Sequence, residues 1–146
     1  GDAKPIGICG SGYIDIVAKF LKEGIISKNG KINAEYLDPK RVRVNSGVKE
    51  IVIAPKGELS QDKDIVITEN DIENLKRSKG AIYSAVSTLA KKLKLDLDDI
   101  KKIFIAGGFG TSLDIESAIF IGLLPDLARE KLKLLLDSFR QTGKLV

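Results

Sequence analysis

The sequence has no histidine, no methionine and no tryptophan, and it has a single cysteine, Cys9. Without histidine the chain lacks the commonest general base, the usual Ser-His triads and histidine metal sites. One cysteine excludes an internal disulfide and any multi-cysteine metal or iron–sulfur site within these residues. Aromatic residues are 5% of the chain, and no basic run is interleaved with them. A nucleic-acid surface is therefore not expected. No apolar run approaches the roughly 18 residues of a membrane span, and no signal-peptide pattern is present, so the reading is a cytoplasmic protein without a membrane partner. The missing initiator methionine points to a piece of a longer chain, and such a piece can carry half a site. Repeats and low-complexity segments are also absent.

What is present suits one soluble α/β domain of 146 residues, 43% hydrophobic and 30% charged, with a net charge of +4 from lysines spread among acids. "GICGSGYIDIVAKFLKEG" begins as a short apolar piece, turns at Gly10-Ser11-Gly12 and becomes a helix. Its stripe is Ile14, Val17, Ala18 and Leu21, with Ser11 as N-cap and Gly24 as the residue past the end. "IISKNGKI" predicts a hairpin with a type I′ turn at Asn29-Gly30. Residues 34–49 read as irregular with a short strand at Val42–Val44. "EIVIA" (50–54) and "DIVIT" (64–68) read as strands. Thr68 and Asp71 approximate a capping box. From there Ile72, Leu75, Ile82, Val86, Leu89 and Leu93 repeat every 3.5 residues in a long helix to about Lys94. Gly80 interrupts it, at a cost of about 1 kcal/mol against alanine. Close packing against a neighbouring element and close approach of a ligand both explain it. "KKIFIA" (101–106) reads as a buried strand, followed by a helix from about Asp114 to Ile121 that Gly122 and Pro125 end. "DLAREKLKLLLDSF" (126–139) reads as a last amphipathic helix.

Two glycine turns carry the candidate chemistry. A strand running into Gly107-Gly108-Phe109-Gly110 exposes backbone N–H groups with no Cβ to hold a ligand away. Such turns lie at the carboxyl ends of strands, where ligands bind in open α/β sheets, and the following helix aims its positive end at the same place. The pattern is neither a dinucleotide fingerprint nor a phosphate loop. A tight structural turn stays open beside the ligand reading. The same two readings hold for "GICGSG", and Cys9 beside it reads as a small buried apolar residue.

Two glycine turns separated by an inserted lobe and a long capped helix resemble the second half of the actin, sugar kinase and seventy-kilodalton chaperone superfamily of ATPases. "PIGICGSGYIDIVA", "EGIISKNGKI", "ITENDIENLKRSKGAIYSAV" and "IFIAGGFGTSLDIESAIFIGLLP" further resemble the C-terminal domain of the reductive activators of corrinoid proteins. The resemblance implies a partial actin-like (ribonuclease H-like) lobe with an inserted α+β subdomain. Residues 1–24 and 69–125 would form the large lobe, 25–68 the insertion, and 126–146 a C-terminal helix and tail, all within one domain fragment, 1–146.

The same resemblance implies the roles of individual residues. Gly107, Gly108, Phe109 and Gly110 would seat the adenosine of ATP. Glu73, Lys76, Arg77 and Lys79 would contact ribose and adenine, with a solvated helix face as the alternative. Gly10, Ser11 and Gly12 would lie toward the phosphates. The superfamily's phosphate turns and the family's ferredoxin part precede residue 1, so magnesium and the iron–sulfur cluster are expected in the longer protein. The fragment itself is then expected to carry no catalytic or metal-binding residue and to be no enzyme on its own. The implied partner is a corrinoid protein, in an ATP-driven electron transfer. After "GLLP" the family continues with a Gly-Asn pair, a strand and a helix, a pattern from which 126–139 departs. A structural module for homodimerisation or partner docking is the other reading, and half of a sugar or acetate kinase is a third.

Overall fold

The computed structural model describes residues 6–60, 62–96, 99–105 and 112–134. Its chain order is helix α1 (Gly10–Lys22), strands β1 (Val42–Asn45), β2 (Val48–Ala54) and β3 (Ile65–Thr68), helix α2 (Glu69–Leu93), strand β4 (Ile103–Ile105), helix α3 (Ile115–Phe120) and strand β5 (Leu132–Leu134). Two compact units result: Gly1–Cys9 with Ile16–Ser78, and Gly10–Asp15 with Lys79–Val146.

In the first unit β2 is the middle strand of an antiparallel sheet ordered β1-β2-β3. It has one neighbour on each side and buries Glu50, Ile51 and Val52. Val17, Ala18, Ile25, Ile26, Ile32, Leu59, Ile67 and Ile72 are the other buried apolar side chains described in this unit. The β1–β2 connection is the two-residue loop Ser46-Gly47, with φ of +49° and +79°. Both central residues are left-handed, as a type I′ turn requires. The Asn29-Gly30 turn is of another kind. The Gly30 N–H donates to Ser27 O at 2.8 Å and the Ser27 N–H to Lys31 O at 2.8 Å, and only Gly30 has a positive φ, +83°. That is a three-residue loop closing in a glycine bulge, not type I′, joined by a single bridge between Ile26 and Ile32.

Helix ends follow local chemistry. At the start of α2 the Asp71 N–H donates to Thr68 Oγ1 at 3.1 Å, and the Thr68 N–H donates to Asp71 Oδ2 at 2.9 Å, a reciprocal capping box. Its far end turns on Lys94 at φ +54°, with the Leu95 N–H donating to Ala90 O at 3.0 Å. Gly24 follows α1 at φ +74° and Gly122 follows α3 at φ +72°. Asp114 caps α3 by accepting from the Ser117 N–H. Ser11 is not an N-cap. The helix already begins at Gly10, which places Ser11 in its first turn, 5% exposed.

The second unit corrects the reading of 126–139 as one helix. Arg129–Lys131 is a 3-10 turn and Leu132–Leu134 is β5, parallel to β4 in the register Ile103↔Leu132, Phe104↔Lys133 and Ile105↔Leu134. Pairing buries Leu132 to 4% exposure. The turn before β5 is held by Arg129, whose guanidinium binds Glu116 on α3 and Asp126. Hydrogen bonds from Arg129 keep the Glu116 carboxyl below the usual carboxylate range. A strand is also what the resemblance places after "GLLP", so the departure from it is smaller than the sequence suggests; residues 135–139 lie outside the described residues.

Candidate functional site

At about 100° per residue, Glu73, Arg77, Gly80 and Ser84 fall within roughly 60° of arc along one face of α2. Glu73 is tied to two cations: its Oε2 accepts from Lys76 Nζ at 2.9 Å, and its Oε1 lies 3.6 Å from Arg77 Nε. The hydrogen bond from Lys76, reinforced by its charge and by Arg77, holds the Glu73 carboxyl below its ordinary range. Of the candidates on this helix, the structure brings these three together.

The two lysines go separate ways. Lys76 Nζ also donates to Asn29 O at 3.0 Å. Its stem covers Gly30, where an added Cβ would come within 3.2 Å of Lys76 Cδ. Lys79 instead lies across the bare backbone of Gly122, where an added Cβ would meet its Nζ at 2.9 Å. They do not jointly border a bare patch at Gly80. Gly80 itself meets nothing within 4 Å among the described residues, which removes close packing by them as its explanation. Every position of α2 from 76 to 85 is exposed, and Ile72 is the buried residue of the helix.

Gly10, Ser11 and Gly12 form the first turn of α1, at the positive end of its dipole. Gly10 is exposed and Ser11 is buried, so of the two Gly10 is the one presented to solvent. Gly107, Gly108, Phe109 and Gly110 lie outside the described residues.

The sequence reading missed a groove in the second unit. A cavity of about 350 Å³ is lined by Ile82, Tyr83, Val86 and Ser87 of α2 and by Gly122, Leu123, Leu124, Pro125 and Asp126. The signal for it was the helical repeat combined with the Gly122–Pro125 stop, because a glycine turn over a helix leaves a channel beside it. In the first unit a polar cleft surrounds Arg43, whose guanidinium bridges the buried Glu50 across β1–β2 and Asp64 at 2.7 Å. The Lys56 N–H and Arg43 keep Asp64 below the usual carboxylate range.

These elements define a partial α/β domain of the actin-like ATPase type, with helix and parallel strands in one unit and an antiparallel sheet in the other. The family described as "C-terminal domain of RACo the ASKHA domain" matches residues 1–138, and the chain belongs to that family. A solved structure, "Reductive activator for corrinoid,iron-sulfur protein", superposes with a TM-score of 0.83 at 45% identity, covering 90% of this chain and 21% of that one. The "Corrinoid activation enzyme RamQ" of Eubacterium limosum is 37% identical over 133 residues, 87% of this chain and 22% of the relative. The "[Co(II) methylated amine-specific corrinoid protein] reductase" of Methanosarcina barkeri is 29% identical over 125 residues, 86% of this chain and 19% of the relative. The chain thus spans about a fifth of the curated relatives it matches. No helix among the described residues is long and apolar enough to cross a membrane.

Proposed function

We propose that this chain supplies the adenosine-binding part of an ATP site in a longer cytoplasmic protein that reductively activates a corrinoid protein. The observation that carries the reading is the α2 face on which Glu73 is held by Lys76 and Arg77, with Gly80 bare and open one to two turns further on. A carboxylate held charged by two cations is poised to accept from ribose hydroxyls. A glycine on the same face lets the flat base approach the backbone. Gly107, Gly108, Phe109 and Gly110, Lys79, and Gly10, Ser11 and Gly12 keep the roles that the family resemblance gives them. Magnesium and an iron–sulfur cluster belong, in this reading, to the longer protein. One cysteine leaves this chain too few thiolates to hold such a cluster. The chain alone is then a binding part and not a catalyst. Its relatives' names support a corrinoid protein as the partner of the whole protein.

Titration with ATP and ADP, followed by backbone amide shifts, tests the binding. The expected result is saturable movement of Glu73–Gly80 and of Gly107–Gly110. No movement of either stretch at millimolar nucleotide overturns the proposal.

A further inference from the structure

The Asn29-Gly30 turn reaches the candidate site through Lys76. Lys76 Nζ donates to Asn29 O at 3.0 Å, 47 residues away in sequence, and to Glu73 Oε2 at 2.9 Å. Two of its three N–H donors are thereby engaged, one by the turn and one by the carboxylate. The turn is itself hydrogen-bonded: the Gly30 N–H donates to Ser27 O and the Ser27 N–H to Lys31 O, each at 2.8 Å. Two features require glycine at position 30. Its φ is +83°, and a Cβ there would come within 3.2 Å of both Lys76 Cδ and Ile72 Cγ2. The lysine stem thus runs through space that glycine leaves open, bordered by the buried Ile72.

Such an anchor does little for stability. The Lys76 and Glu73 side chains are 43% and 46% exposed, and ion pairs at that exposure contribute little. What the anchor fixes is direction. A glutamate left alone on a helix surface turns among several rotamers, and a ligand that needs one of them must freeze out the rest. Here one Glu73 oxygen is held by a lysine that a hydrogen-bonded turn holds in its place, while Arg77 Nε lies 3.6 Å from the other oxygen. On the reading of Glu73 as the acceptor for ribose hydroxyls, we propose that Lys76 is a positioning residue. Anchored on Asn29 O, it presets the Glu73 carboxylate and so the preference of the site for a nucleotide with a complete ribose, without touching the nucleotide itself.

Calorimetry on the 146-residue chain with ATP and with 2′,3′-dideoxy-ATP tests this. The wild type should bind ATP at least tenfold more tightly than the dideoxy compound, the discrimination expected where hydroxyls meet a carboxylate. Lys76→Met keeps a stem over Gly30 and removes the ammonium, and it should cut that preference at least threefold. A lysine that met the base or the phosphates would instead weaken both nucleotides alike. Added to Glu73→Ala, Lys76→Met should cut the preference no further, because no carboxylate is left to aim. Without nucleotide, Lys76→Met should shift the Asn29 carbonyl carbon resonance. A wild-type chain that binds no ATP, or binds both nucleotides equally, overturns the reading of Glu73 and this inference with it. ATP binding with the preference intact in Lys76→Met, a further loss in the double variant, or an unmoved Asn29 resonance overturns this inference alone.

Discussion

Replacing Gly80 should move stability and nucleotide affinity in opposite directions. Gly80 sits inside a 25-residue helix, at a stretch where every position from 76 to 85 is exposed. Beyond its chain neighbours and the backbone of its own helix, no described atom lies within 4 Å of a Cβ built on it. Helix propensity therefore acts on this site undiluted by packing, and Gly80→Ala should stabilise the chain by about 1 kcal/mol. With an m-value of about 2 kcal/mol/M for a chain of this size, the urea midpoint should rise by roughly 0.5 M. Gly80→Leu should stabilise almost as much, since leucine is nearly as good a helix former, but it sets a branched side chain over the face proposed for adenosine. ATP affinity measured by calorimetry should then fall at least tenfold for leucine and less for alanine. A glycine kept only for packing predicts the reverse: lower stability with no specific loss of ATP. If Gly80→Ala destabilises the chain, something packs there. If Gly80→Leu binds ATP as the parent does, the adenosine lies elsewhere.

The carboxylate of Glu69, with a side chain 17% exposed, accepts from the Ile32 N–H and from Lys31 Nζ, each at 3.0 Å. Glu69→Ala leaves the N–H of buried Ile32 unmet and should cost about 2–3 kcal/mol by urea unfolding, while Glu69→Gln keeps an acceptor and should cost about half that. Equal losses would mean that the charge, not the hydrogen bond, matters. Burial opposes ionisation of Glu69, yet the Ile32 N–H and Lys31 outweigh it and its folded pKa lies below the ordinary value. Its contribution is therefore complete above the unfolded pKa of about 4.3 and lost as pH falls through the folded pKa, so Glu69→Gln should flatten the acid limb of the stability curve. Lys94 holds a left-handed φ of +54°, and Lys94→Gly should gain about 0.5 kcal/mol in thermal unfolding, relief of the strained φ less the glycine entropy. A loss there would show that the lysine side chain contributes more than its backbone strain.

Signals confined to a few neighbouring residues were legible in the sequence. Thr68 and Asp71 cap α2 because both partners lie within four residues, and Gly24 and Gly122 end helices because only glycine takes their φ without strain. Strands β2 and β3 were readable from dense β-branched runs. Elements that depend on a distant partner were not. "LKL" at 132–134 fits a helix repeat as well as a strand, and only its pairing with Ile103–Ile105 decides. The Asn29-Gly30 dipeptide carries the strongest type I′ signal, yet that turn formed at Ser46-Gly47, where the ladder from Val42↔Ile51 to Asn45↔Val48 leaves two residues to close the loop. At the candidate site the sequence marked α2 as a helix but could not aim its side chains. Lys76 and Lys79 are one turn apart, and their directions are set by Asn29 and Gly122, far away in sequence.

The two faces of α2 explain why this helix is long and thinly packed. A helix that served only as scaffold would bury one stripe and leave the rest polar. Here one face gathers a carboxylate, two cations and an open glycine, and the opposite face lines up exposed leucine and isoleucine on a seven-residue repeat. Neither face contributes much to the stability of this chain, because most of its surface stays in water. Selection for stability alone would not keep Gly80 bare, because alanine there would strengthen the helix. An open glycine makes sense if that face holds a nucleotide, since any Cβ would stand between the base and the backbone.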